Sequence, residues 1–419
     1  MLKQVTMNTL TRFAILLLTT ASFTQPQADK GWPEWRGPGR QAMLAAGQAP
    51  AKWPASFARA WAVEIGEGYS SPVVGGGLAF VHSRKDPQEI VTAVDIATGK
   101  VRWREVYQAP FNKNGYAVKM GKGPNATPLL AGGRLFVLGA SGHFLALDAA
   151  SGKRLWSKDF SSLVDTSKLF CGTAASPILA NGAVVVQVGS DVRGGQILAL
   201  DPATGTERWQ WKGDGPGYAS PILLDVAGTQ HLVTLTNKSI VGLDAKTGLV
   251  LWSIPFPDEF HENIVTPVWT GRELVVSGIR QGTRASRLAR SGTGWTATEA
   301  WKNADVTMYM SSPVAGDGLV YGLSAKQKGQ FVALDSTTGA LKWASEGRQG
   351  EQASILLAPG QVLFLTNTGA LVVARRTAAG FQEEKRYDIS ETETWTTPVF
   401  LGGAMLVRDS ANLMRLEPK

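Results

Sequence analysis

A Ser/Thr-Pro pair followed by an apolar segment recurs at intervals of about 45 residues, and it constrains the fold more than any other feature. The pairs are Ser71-Pro72, Thr127-Pro128, Ser176-Pro177, Ser220-Pro221, Thr266-Pro267, Ser312-Pro313 and Thr397-Pro398. Near Ile355, the segment "ASILLAPGQVLFL" keeps the pattern without proline and completes eight units. Each unit has the length of a four-stranded propeller blade. The sequence therefore predicts an all-β fold, an eight-bladed β-propeller of four-stranded antiparallel blades.

A second repeat runs from an aspartate to a tryptophan near the end of most units. It reads "LDAASGKRLW" at 147–156, "LDPATGTERW" at 200–209, "LDAKTGLVLW" at 243–252 and "LDSTTGALKW" at 334–343. Asp caps the amides of a tight turn and Gly takes its positive-φ position, so the segment predicts a β-hairpin. We expect the Trp to lie on the outer strand and to fill the wedge between neighbouring blades. Two units vary this pattern, and there Trp301 and Tyr387 take the place of the Trp.

The segment "ARAWAVE" at 58–64 carries such a Trp, Trp61, without a preceding hairpin. The C-terminal unit, residues 397–419, has three predicted strands and ends before its Trp. We therefore predict that Trp61 belongs to the fourth strand of the eighth blade and closes the ring, because closure removes exposed sheet edges. This divides the chain into a signal peptide at 1–28, an N-terminal extension at 29–57 and a propeller at 58–419.

Composition indicates an exported protein. Lys3 and Arg12 precede the short apolar run "FAILLLTTASF", which predicts a signal peptide cleaved near Ala28 and a periplasmic or secreted location. The sequence contains no second long apolar run that would predict a membrane span. Cys171 is the single cysteine, so neither a lipoprotein cysteine after the apolar run nor an internal disulfide is expected. The net charge of +8 comes from scattered residues, which argues against nucleic-acid binding, and we expect a monomer.

The loops that lead into each inner strand, here termed approach loops, offer candidates for a binding site. The residue three positions before the proline, or before Ile355, is Tyr69, Asn125, Ala174, Tyr218, Ile264, Met310, Gln352 and Trp395 in successive units. Nearby in sequence are Tyr116, Cys171, His261, Glu262, Tyr309 and Glu393. These groups either line a ligand pocket at the channel mouth or simply plug the channel. The predicted binding residues are Tyr69, Asn125, Tyr218, Glu262, Tyr309 and Trp395.

Basic residues lie in the loops between second and third strands, on the same face. Arg84, Arg193, Arg280, Arg284 and Lys326 represent this set. They form either a solvated rim or a surface for an anionic partner, which would be an acidic peptide segment or a small anionic ligand. Catalytic chemistry is not indicated, because the four histidines lie in different units without metal-ligand spacing. No catalytic residue and no metal site are predicted.

The Asp-to-Trp repeat, with its "ALDPATGTERW" form, resembles that of PQQ-like (quinoprotein-like) β-propellers, and the resemblance covers residues 61–419. That family includes BamB-like outer-membrane assembly lipoproteins and exported PQQ-dependent alcohol dehydrogenases. The resemblance thus implies either a scaffold that binds an envelope or secreted protein, or an oxidoreductase acting on alcohols or sugars. The dehydrogenases of the family that this chain resembles are longer and carry an adjacent Cys pair beside the quinone. This chain has a single cysteine and lacks that pair. We expect no cofactor; PQQ with calcium, held by Tyr69, Asn125, Glu262 and Trp395, is the alternative.

The segment "GWPEWRGPGR" at 31–40 resembles the N-terminal extension of one branch of these proteins. Trp32, Trp35 and Arg36 have two interpretations. They form a ligand clamp by cation–π stacking, or they pin the extension against the propeller. The sequence favours the second.

Overall fold

β-Strands dominate the part of the chain that the structure describes. The computed structural model describes residues 31–419 except for residues 168, 259 and 261 and the side chain of Met120. Within that part, thirty-two strands form eight four-stranded antiparallel sheets, which confirms the predicted eight-bladed propeller. The signal peptide predicted at 1–28 lies outside the described residues. None of the helices in the described part is long and apolar enough to cross a membrane.

The strands follow the predicted units, and only the first strand, β1 (Phe57–Glu64), belongs to the last blade. Blade one comprises β2 (Val73–Gly75), β3 (Leu78–Lys85), β4 (Gln88–Asp95) and β5 (Val101–Gln108). Blade two comprises β6 (Leu129–Ala131), β7 (Arg134–Leu138), β8 (His143–Asp148) and β9 (Arg154–Asp159). Blade three comprises β10 (Ile178–Ala180), β11 (Ala183–Ser190), β12 (Gly194–Leu200) and β13 (Glu207–Gly213). Blade four comprises β14 (Ile222–Val226), β15 (Thr229–Leu235), β16 (Ser239–Asp244) and β17 (Val250–Pro255).

The remaining blades repeat this order. Blade five comprises β18 (Val268–Trp269), β19 (Glu273–Gly278), β20 (Gly282–Ser291) and β21 (Gly294–Asn303). Blade six comprises β22 (Val314–Gly316), β23 (Leu319–Ser324), β24 (Gln330–Asp335) and β25 (Leu341–Ala344). Blade seven comprises β26 (Ala353–Ala358), β27 (Gln361–Thr366), β28 (Ala370–Arg375) and β29 (Glu383–Asp388), and blade eight comprises β30 (Val399–Leu401), β31 (Ala404–Arg408), β32 (Asn412–Pro418) and β1. Short 3-10 turns lie at Pro38–Arg40, Gly115–Met120, Ser161–Leu163 and Lys326–Lys328.

The ring closes as the sequence predicts. β1 pairs antiparallel with β32, and Trp61 lies opposite Arg415 in that register. Arg408 of β31 adds a second link between blades eight and one. Its guanidinium donates to the carbonyl oxygens of Ser70 and His82, both at 2.7 Å. The first and last segments of the propeller are therefore joined by both main-chain and side-chain hydrogen bonds.

Most of the repeated Trp side chains dock on the hairpin of the following blade, whereas Trp252 donates to His231 of its own blade. The indole of Trp61 donates to the carbonyl of Ile96 at 3.0 Å, and its ring lies so close to Gly99 that a Cβ there would be 2.6 Å from Cγ. Gly99 also has a φ of 71°, which favours glycine. The same ring-on-glycine contact occurs in the pairs Trp103–Gly152, Trp156–Gly205, Trp209–Gly248 and Trp301–Gly339. The Asp-to-Trp repeat thus encodes a contact between blades as well as a turn.

The Ser/Thr of the Ser/Thr-Pro pair links neighbouring blades around the channel. In six of the seven pairs, the backbone N–H of this residue donates to the hydroxyl of its counterpart in the next blade. The bonds seen are Thr397 to Ser71, Ser71 to Thr127, Thr127 to Ser176, Ser176 to Ser220, Ser220 to Thr266 and Thr266 to Ser312, each 2.9 or 3.0 Å long. Most of these residues are buried, so the bonds satisfy groups that water does not reach. We call this set the hydroxyl ring.

The N-terminal extension occupies the channel. Trp32 is fully buried and pairs with Val74 of β2, and the main chain at Ala42 and Leu44 bonds to Leu357 of β26. Arg40 is also buried there and donates to the carbonyl oxygens of Ser176, Pro177 and Pro221, which lie at the start of two inner strands. The segment Trp35–Arg40, which reaches the carbonyl groups at the start of the inner strands, is termed the tip of the extension. The segment from Trp32 to Leu44 is therefore anchored to inner strands of the propeller on more than one side.

Candidate functional site

A cavity of about 430 Å³ lies between the approach loops and the tip of the extension. The structure brings together all eight residues obtained by counting back from the Ser/Thr-Pro pairs, and each lines this cavity: Tyr69, Asn125, Ala174, Tyr218, Ile264, Met310, Gln352 and Trp395. Below them, hydroxyl-ring residues such as Ser176, Ser220 and Thr266 also line the wall. The channel mouth is thus a pocket of the size that small ligands occupy, and whether it binds one remains a prediction.

Hydrogen bonds between neighbouring approach loops place these side chains. The amides of Tyr69 and Ser70 donate to the carbonyl of Pro124 in the next loop, at 3.0 and 3.1 Å. In the same way, the amide of Tyr218 donates to the carbonyl of Asn263 at 2.9 Å. Gly68, with a φ of 135°, permits the close approach, because a Cβ would be 3.0 Å from the carbonyl oxygen of Pro124. The glycines therefore allow neighbouring approach loops to come close enough to form direct hydrogen bonds.

Tyr69 and Trp395 meet across the seam between blades one and eight. Their ring centroids are 5.3 Å apart, and the Trp395 indole donates to the Glu393 carboxylate at 3.1 Å. Burial, followed by the negative charge of Glu393, raises the pKa of Tyr69 to about 12. The phenol is therefore neutral at physiological pH and presents an aromatic face and a hydroxyl to the cavity.

Glu262 and Tyr309 form a second pair on the wall. The Tyr309 hydroxyl donates to the Glu262 carboxylate at 2.8 Å, and Arg280 lies 4.0 Å from the other carboxylate oxygen. Burial and this carboxylate raise the pKa of Tyr309. The carboxylate of Glu262 therefore already has two partners from the protein.

Cys171 also lines the cavity, beside Tyr218. Its amide donates to the Tyr218 hydroxyl at 3.2 Å. Burial raises the pKa of the thiol, although the nearby Lys113 ammonium acts in the opposite direction. The environment therefore keeps the thiol protonated, as expected of a structural cysteine.

Trp35 and Arg36 of the extension line the same cavity from its inner end. The Arg36 guanidinium lies 5.3 Å from the Trp35 ring and donates to the carbonyl of Pro313 at 2.5 Å. Trp32 instead packs in the core against Gly37. Trp32 therefore pins the extension against the propeller. Trp35 and Arg36 face the cavity, at the position that a ligand clamp would require.

The basic rim differs from its prediction at one residue and is partly neutralised at others. Arg84 is 1% exposed and pairs with Glu89 at 2.9 Å, so it does not lie on the rim. Arg280 pairs with Asp258, and Lys326 pairs with Asp305, each at 3.4 Å.

Arg284 lies over the Phe256 ring at 4.6 Å, and Arg193 is exposed. Arg193 therefore retains the exposure that a surface for an anionic partner requires. Of the other residues near the site, Tyr116 lines the cavity, Glu393 holds Trp395, and His261 lies outside the described residues.

A buried acid–base cluster between blades one and two was missed by sequence reasoning. Glu89 accepts hydrogen bonds from Tyr107 at 2.6 Å and from Arg84 at 2.9 Å, and it lies 3.3 Å from His82. Burial alone would raise the pKa of Glu89, but His82, Tyr107 and Arg84 together lower it to about 2. The residues come from adjacent strands, β3, β4 and β5, and the only sequence signal is polar residues at inward-facing strand positions.

Metal ligands do not converge at the cavity. Across the described part of the chain, no group of three or more His, Cys, Asp or Glu side chains is arranged to hold an ion. Near the cavity, Glu262 is the acidic lining residue, and it is already bonded to Tyr309.

The eight blades, the Trp–Gly docking repeat and the axial cavity define a PQQ-like β-propeller. Residues 46–230, 87–345 and 193–407 match the family described as outer membrane protein assembly factor BamB, and the chain belongs to this family.

Individual relatives agree with this assignment. The BamB of Yersinia pestis is 24% identical over 307 residues, which is 68% of this chain and 71% of the relative. The crystal structure of BamB from Moraxella catarrhalis aligns with a TM-score of 0.61 at 16% identity, over 87% of this chain and 98% of that one. Quinohemoprotein alcohol dehydrogenase from Comamonas testosteroni aligns with a TM-score of 0.65 at 15% identity, over 92% and 80% of the two chains. At these identities, the two structures show the shared fold alone.

Proposed function

We propose that this chain is an exported, non-catalytic propeller that binds a protein partner during envelope protein assembly. The observation that carries the proposal is a group of exposed apolar side chains beside the cavity mouth. Tyr116 is 90% exposed, Val118 is 61% exposed and Phe260 is 45% exposed. Large apolar groups on a surface are typical of a protein interaction site. The names of the BamB relatives, all outer membrane protein assembly factors, support an envelope setting.

The loop that carries Tyr116 is held in one shape. Asn114 caps the 3-10 turn by accepting from the Tyr116 amide at 3.0 Å, and its side-chain amide donates to the carbonyl of Thr166 at 3.0 Å. The Tyr116 ring lies 6.0 Å from Phe170. An exposed aromatic group on an ordered loop loses little conformational entropy when it binds a partner, which is the property of an interface anchor.

We also propose a periplasmic or secreted location and a monomeric state.

The test is affinity capture from envelope membranes with the variant Y116A/V118S. Loss of outer-membrane assembly components that the parent protein recovers would support the proposal. The control variant is L249S, because Leu249 is 68% exposed but lies at the hairpin on the opposite face. Equal recovery by all three proteins, or recovery of no such component, would contradict the proposal.

The alternative is a quinone-dependent oxidoreductase that acts on alcohols or sugars. PQQ with calcium would supply the redox chemistry, and Tyr69, Asn125, Glu262 and Trp395 do line one cavity. The residues do not fit the cation, however, because Glu262 is bonded to Tyr309 and no ion-binding group of side chains occurs in the described part. Titration with PQQ and calcium, followed by an assay of alcohol-dependent dye reduction, tests this alternative. Micromolar binding with turnover would replace the scaffold proposal.

A further inference from the structure

Arg36 is a buried cation that faces the cavity. Its side chain lines the cavity, and the residue is 3% exposed. One hydrogen bond, to the carbonyl of Pro313, engages Nη2. Because a guanidinium carries five N–H groups, the bond to Pro313 leaves most of the donors of Arg36 available to a ligand in the cavity that the residue lines.

No carboxylate neutralises this charge. Among the ion pairs of the described residues, Glu34 pairs with Arg40 at 3.0 Å, and none involves Arg36. Burial and, to a smaller extent, the positive charge of Arg40 lower the pKa of Arg36 to about 9. A buried charge without a counter-ion is unfavourable, so an anion placed beside it would gain a strong electrostatic interaction.

The backbone holds Arg36 in this position at a conformational cost. Arg36, Arg40 and Ala42 have φ angles of 63°, 58° and 53°, in the left-handed region that non-glycine residues rarely adopt. Hydrogen bonds from Ala42 to the carbonyl of Arg36, and from Arg40 to three inner-strand carbonyls, keep the tip in this shape. The guanidinium is thus positioned before any ligand arrives, which favours binding.

The remaining wall indicates what an anion at Arg36 would carry. Trp35, Tyr69, Tyr218, Tyr309 and Trp395 supply aromatic surfaces around the cavity. Lys119 adds a second positive charge, while Glu262, whose carboxylate is engaged by Tyr309, is the acidic group of the wall. The volume of about 430 Å³ suits a small molecule and excludes a folded protein element.

We propose that the cavity binds a small organic carboxylate with an aromatic or apolar body, and that its carboxylate pairs with Arg36 without a metal ion. A planar guanidinium and a carboxylate form two parallel hydrogen bonds, which makes Arg suited to this role. The inference goes beyond the proposed partner binding and does not depend on it. Failure of the capture experiment at Tyr116 leaves it unaffected, since it rests on the interior of the channel.

The experiment compares two probes by isothermal titration calorimetry, indole-3-acetate and its neutral analogue indole-3-acetamide. The two molecules have nearly the same shape and differ in charge. We expect the carboxylate to bind the full chain at least about tenfold more tightly than the amide. The R36M variant should lose this preference, and R36K should retain part of it. Equal affinity of the two probes, no binding of either, or a preference that survives in R36M would overturn the proposal.

Because the Arg36 side chain also bonds Pro313, R36M could lose binding by misfolding. A second variant therefore tests the proposal with Arg36 intact. Ala174 lies on the opposite part of the wall, in an approach loop, and A174W should fill the cavity while leaving Arg36 in place. We expect A174W to bind neither probe while it keeps the parent's circular dichroism spectrum. Undiminished binding of indole-3-acetate by a folded A174W would place the carboxylate elsewhere and contradict the proposal.

Discussion

The hydroxyl of Ser71 accepts a hydrogen bond from the backbone N–H of Thr397 at 2.9 Å, although 326 residues separate them in the sequence. Both residues are buried, at 1% and 4% exposure. In the variant S71A, the Thr397 N–H would be left without an acceptor. We expect a loss of about 1–3 kcal/mol in the free energy of unfolding, measured by denaturant titration.

Ser354 provides the matched control, because it occupies the corresponding position in blade seven. Its hydroxyl accepts the long 3.5 Å contact from the Gln352 side chain and, among the bonds described, no backbone N–H from blade six. S354A should therefore cost less than S71A. Equal destabilisation would show that the hydroxyl ring contributes nothing specific.

The contact between Trp61 and Gly99 predicts a position-specific effect of alanine. In G99A the new Cβ would be 2.6 Å from the Trp61 ring, so overpacking adds about 1–3 kcal/mol to the cost of the left-handed backbone. The control is G76A, where φ is 58° and no atom lies within 4 Å of the new Cβ. We expect G99A to lower the melting temperature further than G76A does. Similar decreases in melting temperature for G99A and G76A would argue that the Trp61–Gly99 contact does not contribute to closure of the ring.

Glu89 predicts a pH dependence of stability. Its pKa falls from 4.5 to about 2 on folding, so its contribution is complete above about pH 4.5 and is lost as the pH falls towards 2. The shift of about 2.5 units corresponds to an upper limit of about 3 kcal/mol. The variant E89Q should be less stable at pH 7 and should show a flatter decline between pH 4.5 and 2, measured by denaturant titration at each pH. An unchanged slope would exclude Glu89 as the source.

Arg193 offers a test of the anionic-partner surface. It is exposed on the cavity face, so R193E should weaken the capture of an acidic partner, with little change in melting temperature. Arg272, at the turn between β18 and β19 on the opposite face, is the control for the same charge change. An equal loss of capture in R193E and R272E would indicate a general charge effect. No loss in R193E would remove this residue from the proposed surface.

The sequence predicts most of the frame because the frame consists of local, repeated chemistry. The Ser/Thr-Pro pairs and the Asp-to-Trp hairpins mark most of the blades, and the missing hairpin before Trp61 predicts its pairing in the last blade. Counting within a unit also brings Tyr69 and Trp395 to one cavity, since equivalent positions in a closed ring share a radius and a height.

Other features depend on contacts that no local pattern carries. Arg84 occupies a loop-end position that suggests exposure, but Glu89 on the neighbouring strand draws it into the interior. The sequence names Trp35 and Arg36 as a possible clamp, but it does not predict their position at the floor of the cavity, because the extension has no repeat to place it. Arg36 reaches Pro313 across 277 residues, and only the folded ring brings them together.

The extension inside the channel makes the axial cavity a dead end. Trp32 and Arg40 are buried between inner strands on several sides, so the channel is closed below Arg36. A molecule in the cavity must leave by the opening through which it came. The approach loops, and not the hairpins on the far side, therefore set how quickly the cavity exchanges its contents with solvent, and a protein seated over Tyr116 would hold those contents in place.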